Sequence, residues 1–357
     1  MRTESKNFLR ELLDAPSPSG FEGPAASVVK EYVKNFADEV RVDVHGNLMA
    51  SIGPENAHPR VMFAGHMDEI GLMVTCVDEK GFIGFRPIGG WDARQLNGQR
   101  VLIHTASGPL RGVIGGRAIH LLDQDERNKV TKLEDLWIDI GHSGREKVQD
   151  LVAVGDPVTV GADYEEFGEN LAISRCFDDK MGTWLAMEAL RELAERKADL
   201  KARVTAVATV QEEIGLRGGQ TSAYSVHPDV GIAIDVTHAM DAPNGGRTRD
   251  VGDIRIASGP VISRGPNINH RVFEGLKRIA EEKEIPIQIE AAPKSTGTDA
   301  NPMQLSRGGV AVGLLSIPLR YMHTTVEVLS LEDLEKGARL LAEYALTLGP
   351  ESEFLPY

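Results

Sequence analysis

Residues 61–69 have the sequence VMFAGHMDE, in which a short apolar run leads directly into His66, Asp68 and Glu69. An apolar run of this length is typical of a strand buried in a sheet. Open α/β sheets build their sites from the loops beyond the carboxyl ends of their strands. The histidine and the acidic residues after this strand therefore predict both the fold class and the position of a functional site.

The same pattern recurs further along the chain: residues 204–210 precede Glu212 and Glu213, residues 230–234 end at Asp235, and residues 310–317 lead to His323. A further candidate, the pair Asp178-Asp179, stands just before a predicted helix. Taken singly, each residue has an ordinary explanation as a helix N-cap, a loop residue or a surface histidine. Their shared placement after strands favours a single site.

Helical patterns separate these predicted strands, over residues 180–196, 271–284 and 331–348. Two further helices, about residues 8–13 and from 24 onward, precede a predicted hairpin with its turn at 45–47. Strands separated by helices predict an α/β fold with a mixed, mostly parallel sheet and helices on both faces.

Residues 71–160 have a different character, because short β-like runs alternate there with glycine-rich turns and no long helical pattern interrupts them. This pattern predicts a small, β-barrel-like domain inserted into the larger one. We predict a discontinuous catalytic domain at residues 1–70 and 163–357, and an inserted β-rich domain at residues 71–162.

The chain has 357 residues and a formal net charge of −14, with acidic residues spread along its length. Nucleic acids and anionic membranes require clustered Lys and Arg, so neither is predicted as a partner. The cysteines, Cys76 and Cys176, share no metal-ligand spacing, which argues against a disulfide framework and against a zinc-thiolate site. No signal peptide or membrane-spanning run is evident, and a cytoplasmic location is predicted.

Other catalytic motifs are missing from the sequence. There is no G-x-S-x-G nucleophile motif and no phosphate-binding glycine loop, and neither cysteine has a catalytic setting. The pairs Gly245-Gly246 and Gly308-Gly309 are interpreted as turns.

Histidines and carboxylates without thiolates suit Zn²⁺, Co²⁺ or Mn²⁺. A site for two ions needs a carboxylate that bridges them. Of two adjacent glutamates such as Glu212 and Glu213, one can bind a metal ion while the other serves as general base. Asp68, two residues beyond His66, is placed to orient the imidazole.

Six segments are informative when they are considered together: PSPSGFE at 16–22, AGHMDEIG at 64–71, FDDKMG at 177–182, QEEIGLRG at 211–218, GTDA at 297–300 and RYMHT at 320–324. In this order they resemble metallopeptidase family forty-two, the glutamyl, deblocking and tetrahedral aminopeptidases. The resemblance spans essentially the whole chain. It implies a zinc-peptidase-like catalytic domain, an inserted assembly domain and a homo-oligomer, most often a dodecamer built from dimers.

The resemblance also implies a role for each candidate residue. One ion would be held by His66, Asp178 and Asp235, and the other by Asp178, Glu213 and His323. Asp178 would bridge the ions, Glu212 would be the general base, and Asp68 would support His66. The peptide bond between Asp178 and Asp179 would be cis. The substrates would be peptides with free N-termini.

Other functions are also conceivable on the same scaffold. An endoglucanase-like glycosidase would pair Glu212 with Asp178 or Asp235, but it would leave His66 and His323 without a role. A non-catalytic assembly protein would leave every predicted ligand without a role. The sequence does not determine the preferred N-terminal residue or the identity of the metal.

Overall fold

The computed structural model describes residues 1–161, 163–243 and 252–356. The predicted turn at Gly245-Gly246 lies outside these residues. Within the described part of the chain, no helix has both the length and the apolar character needed to cross a membrane.

The strands, numbered along the chain, are β1 (Glu39–Val42), β2 (Leu48–Ile52), β3 (Arg60–His66), β4 (Gly71–Val77), β5 (Ile83–Ile88), β6 (Arg100–Thr105), β7 (Gly108–Gly115), β8 (Trp137–Asp139), β9 (Pro157–Val160), β10 (Glu165–Phe167), β11 (Leu171–Ser174), β12 (Arg203–Thr209), β13 (Val230–His238), β14 (Val261–Arg264), β15 (Gln288–Ala291), β16 (Ala311–Leu319) and β17 (Glu327–Ser330). The α-helices are α1 (Thr3–Asp14), α2 (Gly23–Val33), α3 (Ala93–Leu96), α4 (Gln124–Arg127), α5 (Arg145–Gln149), α6 (Phe177–Glu195), α7 (Arg217–Val226), α8 (His270–Glu282), α9 (Ala300–Gln304) and α10 (Leu331–Leu346).

The main sheet has the strand order β1-β2-β12-β3-β13-β16-β14-β15. Its four central strands, β12, β3, β13 and β16, are mutually parallel. The hairpin β1-β2 pairs with β12 in the antiparallel direction, and β14 is antiparallel to β16. The mixed, mostly parallel sheet predicted from the sequence is therefore confirmed, and the carboxyl ends of its central strands meet at one edge.

Helices cover both faces of this sheet. Gly65 lies so close to the backbone of Gly182 in α6 that a Cβ would not fit between them. Gly231 of β13 faces the end of the Met303 side chain of α9. Gly231 pairs with Met62 of β3, so these two residues face the same side of the sheet. Met62 and Gly65 are three residues apart on the same strand, and Gly65 therefore faces the opposite side. Helices α6 and α9 therefore lie on opposite sides of the sheet.

The inserted region forms a closed barrel with the strand order β4-β5-β8-β7-β6-β9. Each of these strands contributes buried apolar side chains to a core that is separate from the core of the main sheet. Closing the sheet on itself leaves no unpaired strand edge. The predicted β-barrel is confirmed, and its strands run from Gly71 to Val160.

Some features differ from the sequence-based expectation. Strand β13 was expected to end at Asp235, but β16 pairs along it as far as His238, and Asp235 therefore lies inside the strand. The polar side chain of Asp235 had suggested that the strand ends there. A small antiparallel sheet, β10-β11-β17, and helix α7 had not been predicted. Helix α7 begins Arg217-Gly218-Gly219, a sequence more typical of a turn.

Candidate metal centre

The carboxyl edge of the parallel strands brings the predicted ligands together. Asp178 lies between two imidazoles, with its Oδ1 3.4 Å from Nε2 of His66 and its Oδ2 3.3 Å from Nε2 of His323. The same nitrogen of His323 is 3.4 Å from Oε1 of Glu213. One carboxylate thus contacts both histidines through different oxygens, which is the geometry that a bridging ligand requires.

The two neighbouring aspartates are in different environments. Asp179 uses its carboxylate to accept hydrogen bonds from the backbone N–H groups of His66 and Gly182, at 3.0 and 3.2 Å. The oxygens of Asp178 are instead directed at the two imidazoles. The peptide bond between the two aspartates is cis, as expected. Geometry thus separates two residues that the sequence pattern alone left equivalent.

The loop that carries the adjacent glutamates is held through its backbone. Asp68, which is fully buried, accepts hydrogen bonds from the N–H groups of Glu212 and Glu213, at 3.0 and 3.2 Å. The hydroxyl of Ser19 donates to the same carboxylate at 2.6 Å. Asp68 also lies beneath His66, whose Nδ1 is 3.1 Å from the backbone oxygen of Asp68 and 3.5 Å from its Oδ1. Asp68 therefore connects the first predicted ligand to the glutamate loop.

Further polar residues support this loop, and sequence reasoning had assigned them no role. The N–H of Gln211 donates to Glu22 at 3.1 Å, and the N–H of Val210 donates to Asn47 at 3.2 Å. At the end of β12, the hydroxyl of Thr209 donates to Asp299 at 2.6 Å. Glu22 and Asp299 fall within the recurring segments, but a segment does not reveal which backbone group a side chain reaches.

Glu327 was also missed, although it is 1% exposed. Its carboxylate accepts hydrogen bonds from the backbone N–H groups of Asp178 and His323, each at 3.0 Å. It therefore fixes the spacing between two predicted ligands that are distant in sequence. The sequence does contain a signal that could have identified Glu327, because it is a glutamate within the apolar run 326–329. A charged residue flanked by buried positions usually has a specific partner.

Crowded, buried carboxylates dominate the electrostatics of the site. Burial, with added repulsion from Asp235 and Asp299, raises the pKa of Glu212 to about 10. Burial and the neighbouring Asp178 raise the pKa of Asp235 to about 8. Burial also acts on Asp178, but hydrogen bonds from His323 and His66 hold its pKa below the usual range. Among the described residues, no Lys or Arg forms an ion pair with any of these carboxylates.

This donor set fits divalent metal ions. Ligand atoms of His66, Asp178 and Glu213 all lie within 4.8 Å of one another. Those of His66, Asp179 and Asp235 do as well, although both oxygens of Asp179 already accept hydrogen bonds from backbone N–H groups. Nitrogen and carboxylate donors without thiolates suit Zn²⁺, Co²⁺ or Mn²⁺. Cations at these positions would favour the ionised carboxylates, and so oppose the rise in pKa that burial and mutual repulsion cause.

His323 is oriented by the barrel as well as by its ionic partners. Its Nδ1 lies 3.0 Å from the backbone oxygen of Gly90, in the turn between β5 and α3. Because that oxygen can only accept, the proton belongs on Nδ1, which leaves Nε2 free to bind a metal ion. The neighbouring Gly89 lies close to Oε2 of Glu213. A turn of the inserted barrel therefore forms one wall of the centre.

The predicted ligands and Glu212 open into a single cleft of about 410 Å³. Its lining residues are His66, Asp178, Glu212, Glu213, Asp235, Val236, Thr237, His238, Ser263, Glu290, 291–298, Leu314, Ser316, Met322 and His323. Asp68 lies behind this surface. An α/β sheet that gathers two histidines and several carboxylates beside an open cleft at its carboxyl edge defines the class of metal-dependent hydrolases.

Comparison with known proteins leads from this class to a family. The family model of the M42 glutamyl aminopeptidases matches residues 46–340. The chain is 36% identical to a lysyl aminopeptidase of Pyrococcus furiosus over 98% of its own length and 99% of the relative's. The chain belongs to the M42 family of aminopeptidases, and it is a peptide hydrolase.

Solved structures agree with this assignment. The TET aminopeptidase of Thaumarchaeota archaeon SCGC AB-539-E09 superposes with a TM-score of 0.93 at 34% identity, covering 98% of this chain and 97% of that one. The TET1 peptidase of Pyrococcus horikoshii, which can assemble into a tetrahedron or a large octahedral shell, superposes with a TM-score of 0.85 at 32% identity, covering 96% of this chain and 100% of that one.

Proposed function

We propose that the chain removes N-terminal residues from peptides at a centre that binds two divalent metal ions. The observation that carries the proposal is Asp178, whose two oxygens contact His66 and His323 separately. In the proposed ligand sets, His66, Asp178 and Asp235 hold one ion, and Asp178, Glu213 and His323 hold the other. Zn²⁺ and Co²⁺ suit these donors best, and Mn²⁺ is compatible with them.

Glu212 is the proposed general base. When bound, ions at such a centre anchor the free amine of a peptide, lower the pKa of water and polarise the scissile carbonyl. Glu212 lines the cleft, and its Oε2 lies 3.8 Å from Nε2 of His66. It would take a proton from the attacking water and deliver it to the leaving amine. Asp68 holds the backbone of Glu212 and so fixes where its side chain can reach.

A glycosidase is the weaker alternative. It needs a pair of carboxyl groups on either side of a sugar bond, and Glu212 with Asp178 or Asp235 could provide one. However, Asp178 is engaged by both histidines, and a glycosidase has no use for two imidazoles directed at one carboxylate. The same contacts argue against a purely structural assembly protein.

Metal content tests the proposal. Elemental analysis of metal-saturated protein should find about two ions per chain, because two ligand sets share Asp178. His323→Ala should retain mainly one ion, since it removes a ligand from a single set. A chelator should abolish the hydrolysis of aminoacyl-anilides, and added Zn²⁺, Co²⁺ or Mn²⁺ should restore it. A metal content near zero at saturation, or hydrolysis that survives chelation, would refute the two-ion centre.

We also propose the domain division at residues 1–70 with 163–357 and at 71–162, and a role for the barrel in assembly. Separate cores and the closed barrel support the division. The likeness to an assembling TET1 peptidase supports a homo-oligomer, which we propose is a dodecamer built from dimers. The exposed barrel-region residues Ile119 and Leu121, 61% and 72% exposed, are candidates for contacts between subunits.

Light scattering tests the assembly. The wild-type chain should have about twelve times the mass of a monomer, as expected for a closed homo-oligomer of this order. Ile119→Glu combined with Leu121→Glu should reduce that mass, because buried charge is costly at a subunit interface. Val44→Glu is the control, since Val44 is also apolar and is even more exposed, but lies in the β1-β2 hairpin. A fully active monomer at micromolar concentration would contradict the proposal.

A further inference from the structure

The far side of the cleft contains a carboxylate that the proposed metal centre does not use. Glu290, on β15, lines the same cleft as Asp235 and Glu212. Its Oε2 accepts a hydrogen bond from the hydroxyl of Thr237 at 2.9 Å. Across the described residues, Glu290 forms no ion pair with a Lys or Arg side chain. It is therefore a half-buried negative charge held in place by a neutral partner.

Thr237 links this carboxylate to the metal centre. Asp235 and Thr237 lie two residues apart on β13, so their side chains point to the same face of the strand. Two residues of a strand span about 7 Å. A substrate whose free amine is held near Asp235 therefore places the side chain of its first residue within reach of Glu290. Lysine and arginine have flexible stems long enough to cover such a distance.

The remaining surface of the cleft suits the methylene stem of a lysine or arginine side chain. Val236, Leu314 and Met322 line the cleft and offer apolar surface to methylene groups. The basic residue Lys294 also lines the cleft, but it lies on an exposed loop, where solvent weakens its attraction for an anion. The fixed charge of this part of the cleft is therefore negative.

We propose that Glu290 and Thr237 form a subsite for the cationic side chain of the substrate's N-terminal residue, which gives the enzyme a preference for lysine or arginine at that position. This inference rests on the proposed aminopeptidase function and names its substrate class. Glu290 binds the ammonium or guanidinium group through a charge-assisted hydrogen bond, and Thr237 fixes the orientation of the carboxylate.

The experiment compares lysyl-anilide with norleucyl-anilide, whose side chain has the same four-carbon stem without the ammonium group. For the metal-loaded wild-type enzyme, kcat/KM should be at least about tenfold higher for lysine. Glu290→Gln should reduce this lysine-to-norleucine ratio about 10- to 100-fold, mainly through KM. Thr237→Val should reduce it about 2- to 10-fold, because only a neutral hydrogen bond is lost. A ratio that stays unchanged in Glu290→Gln would overturn the proposal.

Control variants separate this role from others. Glu274→Gln makes the same chemical change at an exposed position of helix α8, outside the cleft, and should leave the ratio unchanged. The metal content of Glu290→Gln should equal that of the wild type, and the loss of an ion would make Glu290 a metal ligand instead. A preference for glutamyl-anilide that disappears in Lys294→Ala would show that the cleft selects acidic residues, which also contradicts the subsite.

Calorimetry distinguishes failure of the subsite from failure of the proposed function. If the metal-loaded wild-type enzyme cleaves no aminoacyl-anilide, the proposed function fails. Binding of lysinamide and norleucinamide to the same protein still tests the subsite. Tighter binding of lysinamide that is lost in Glu290→Gln supports it, and equal binding of the two amides overturns it.

Discussion

Glu212→Gln is expected to lower the turnover number by about 10²–10⁴-fold, the usual contribution of general acid–base catalysis, while both metal ions stay bound. Glutamine has the size and hydrogen-bonding capacity of glutamate, but it cannot accept a proton from the attacking water. Because the change affects the chemical step and not the ligands, KM should change little. The checks are turnover on the best-cleaved aminoacyl-anilide and a calorimetric metal titration of the same preparation.

Glu213→Gln is the matched control, since it makes the same change at the adjacent residue. Oε1 of Glu213 lies 3.4 Å from Nε2 of His323, at the proposed second metal position. This variant should bind one ion more weakly, and excess metal should partly restore its activity. Loss of an ion in Glu212→Gln, with both retained in Glu213→Gln, would show that the two roles are reversed.

Asp178→Asn should weaken the binding of both ions and abolish measurable turnover. A neutral amide offers only one oxygen and no charge, so it cannot serve two positions at once. Residues that merely orient a ligand typically change metal affinity about 10- to 100-fold, and loss of a shared ligand should exceed that. Elemental analysis after dialysis against metal-free buffer, together with turnover in excess metal, measures both effects.

Asp179→Asn provides the comparison for this experiment. Asp179 uses both oxygens on backbone N–H groups, so its replacement should lower the melting temperature rather than the metal content. If Asp179→Asn lost both ions while Asp178→Asn kept them, the bridging role would belong to Asp179. The two variants therefore determine which member of the pair is the shared ligand.

The main features of the fold could be predicted because they depend on local patterns. The apolar run 61–64 and the helix over 180–196 correspond closely to β3 and α6. Short elements such as β14 and β15 have no comparable pattern, because four residues carry too little periodicity. Strand β13 continues past Asp235 because its neighbour β16 supplies hydrogen bonds, and that pairing is not visible in one segment.

The candidate site could be predicted only in part for a similar reason. The ligand types and their positions after strands were evident in the sequence, and the resemblance supplied the individual roles. The supporting residues could not be predicted, since Glu327 and Glu22 act on backbone groups that are distant in the chain. Glu290 was missed as well, because its relation to the cleft depends on how β15 lies relative to β13.

The turn at Gly89 and Gly90 has a consequence for recombination between related proteins. It belongs to the barrel by sequence, but the backbone oxygen of Gly90 sets the tautomer of His323, and Gly89 lies close to Glu213. A chimera that takes its barrel from a relative also replaces this part of the active-site wall. Crossover points that keep residues 88–91 with the parental sheet preserve the hydrogen bond to His323 and the close approach to Glu213. Exchange of the complete barrel puts both at risk, even if every strand of the new barrel folds.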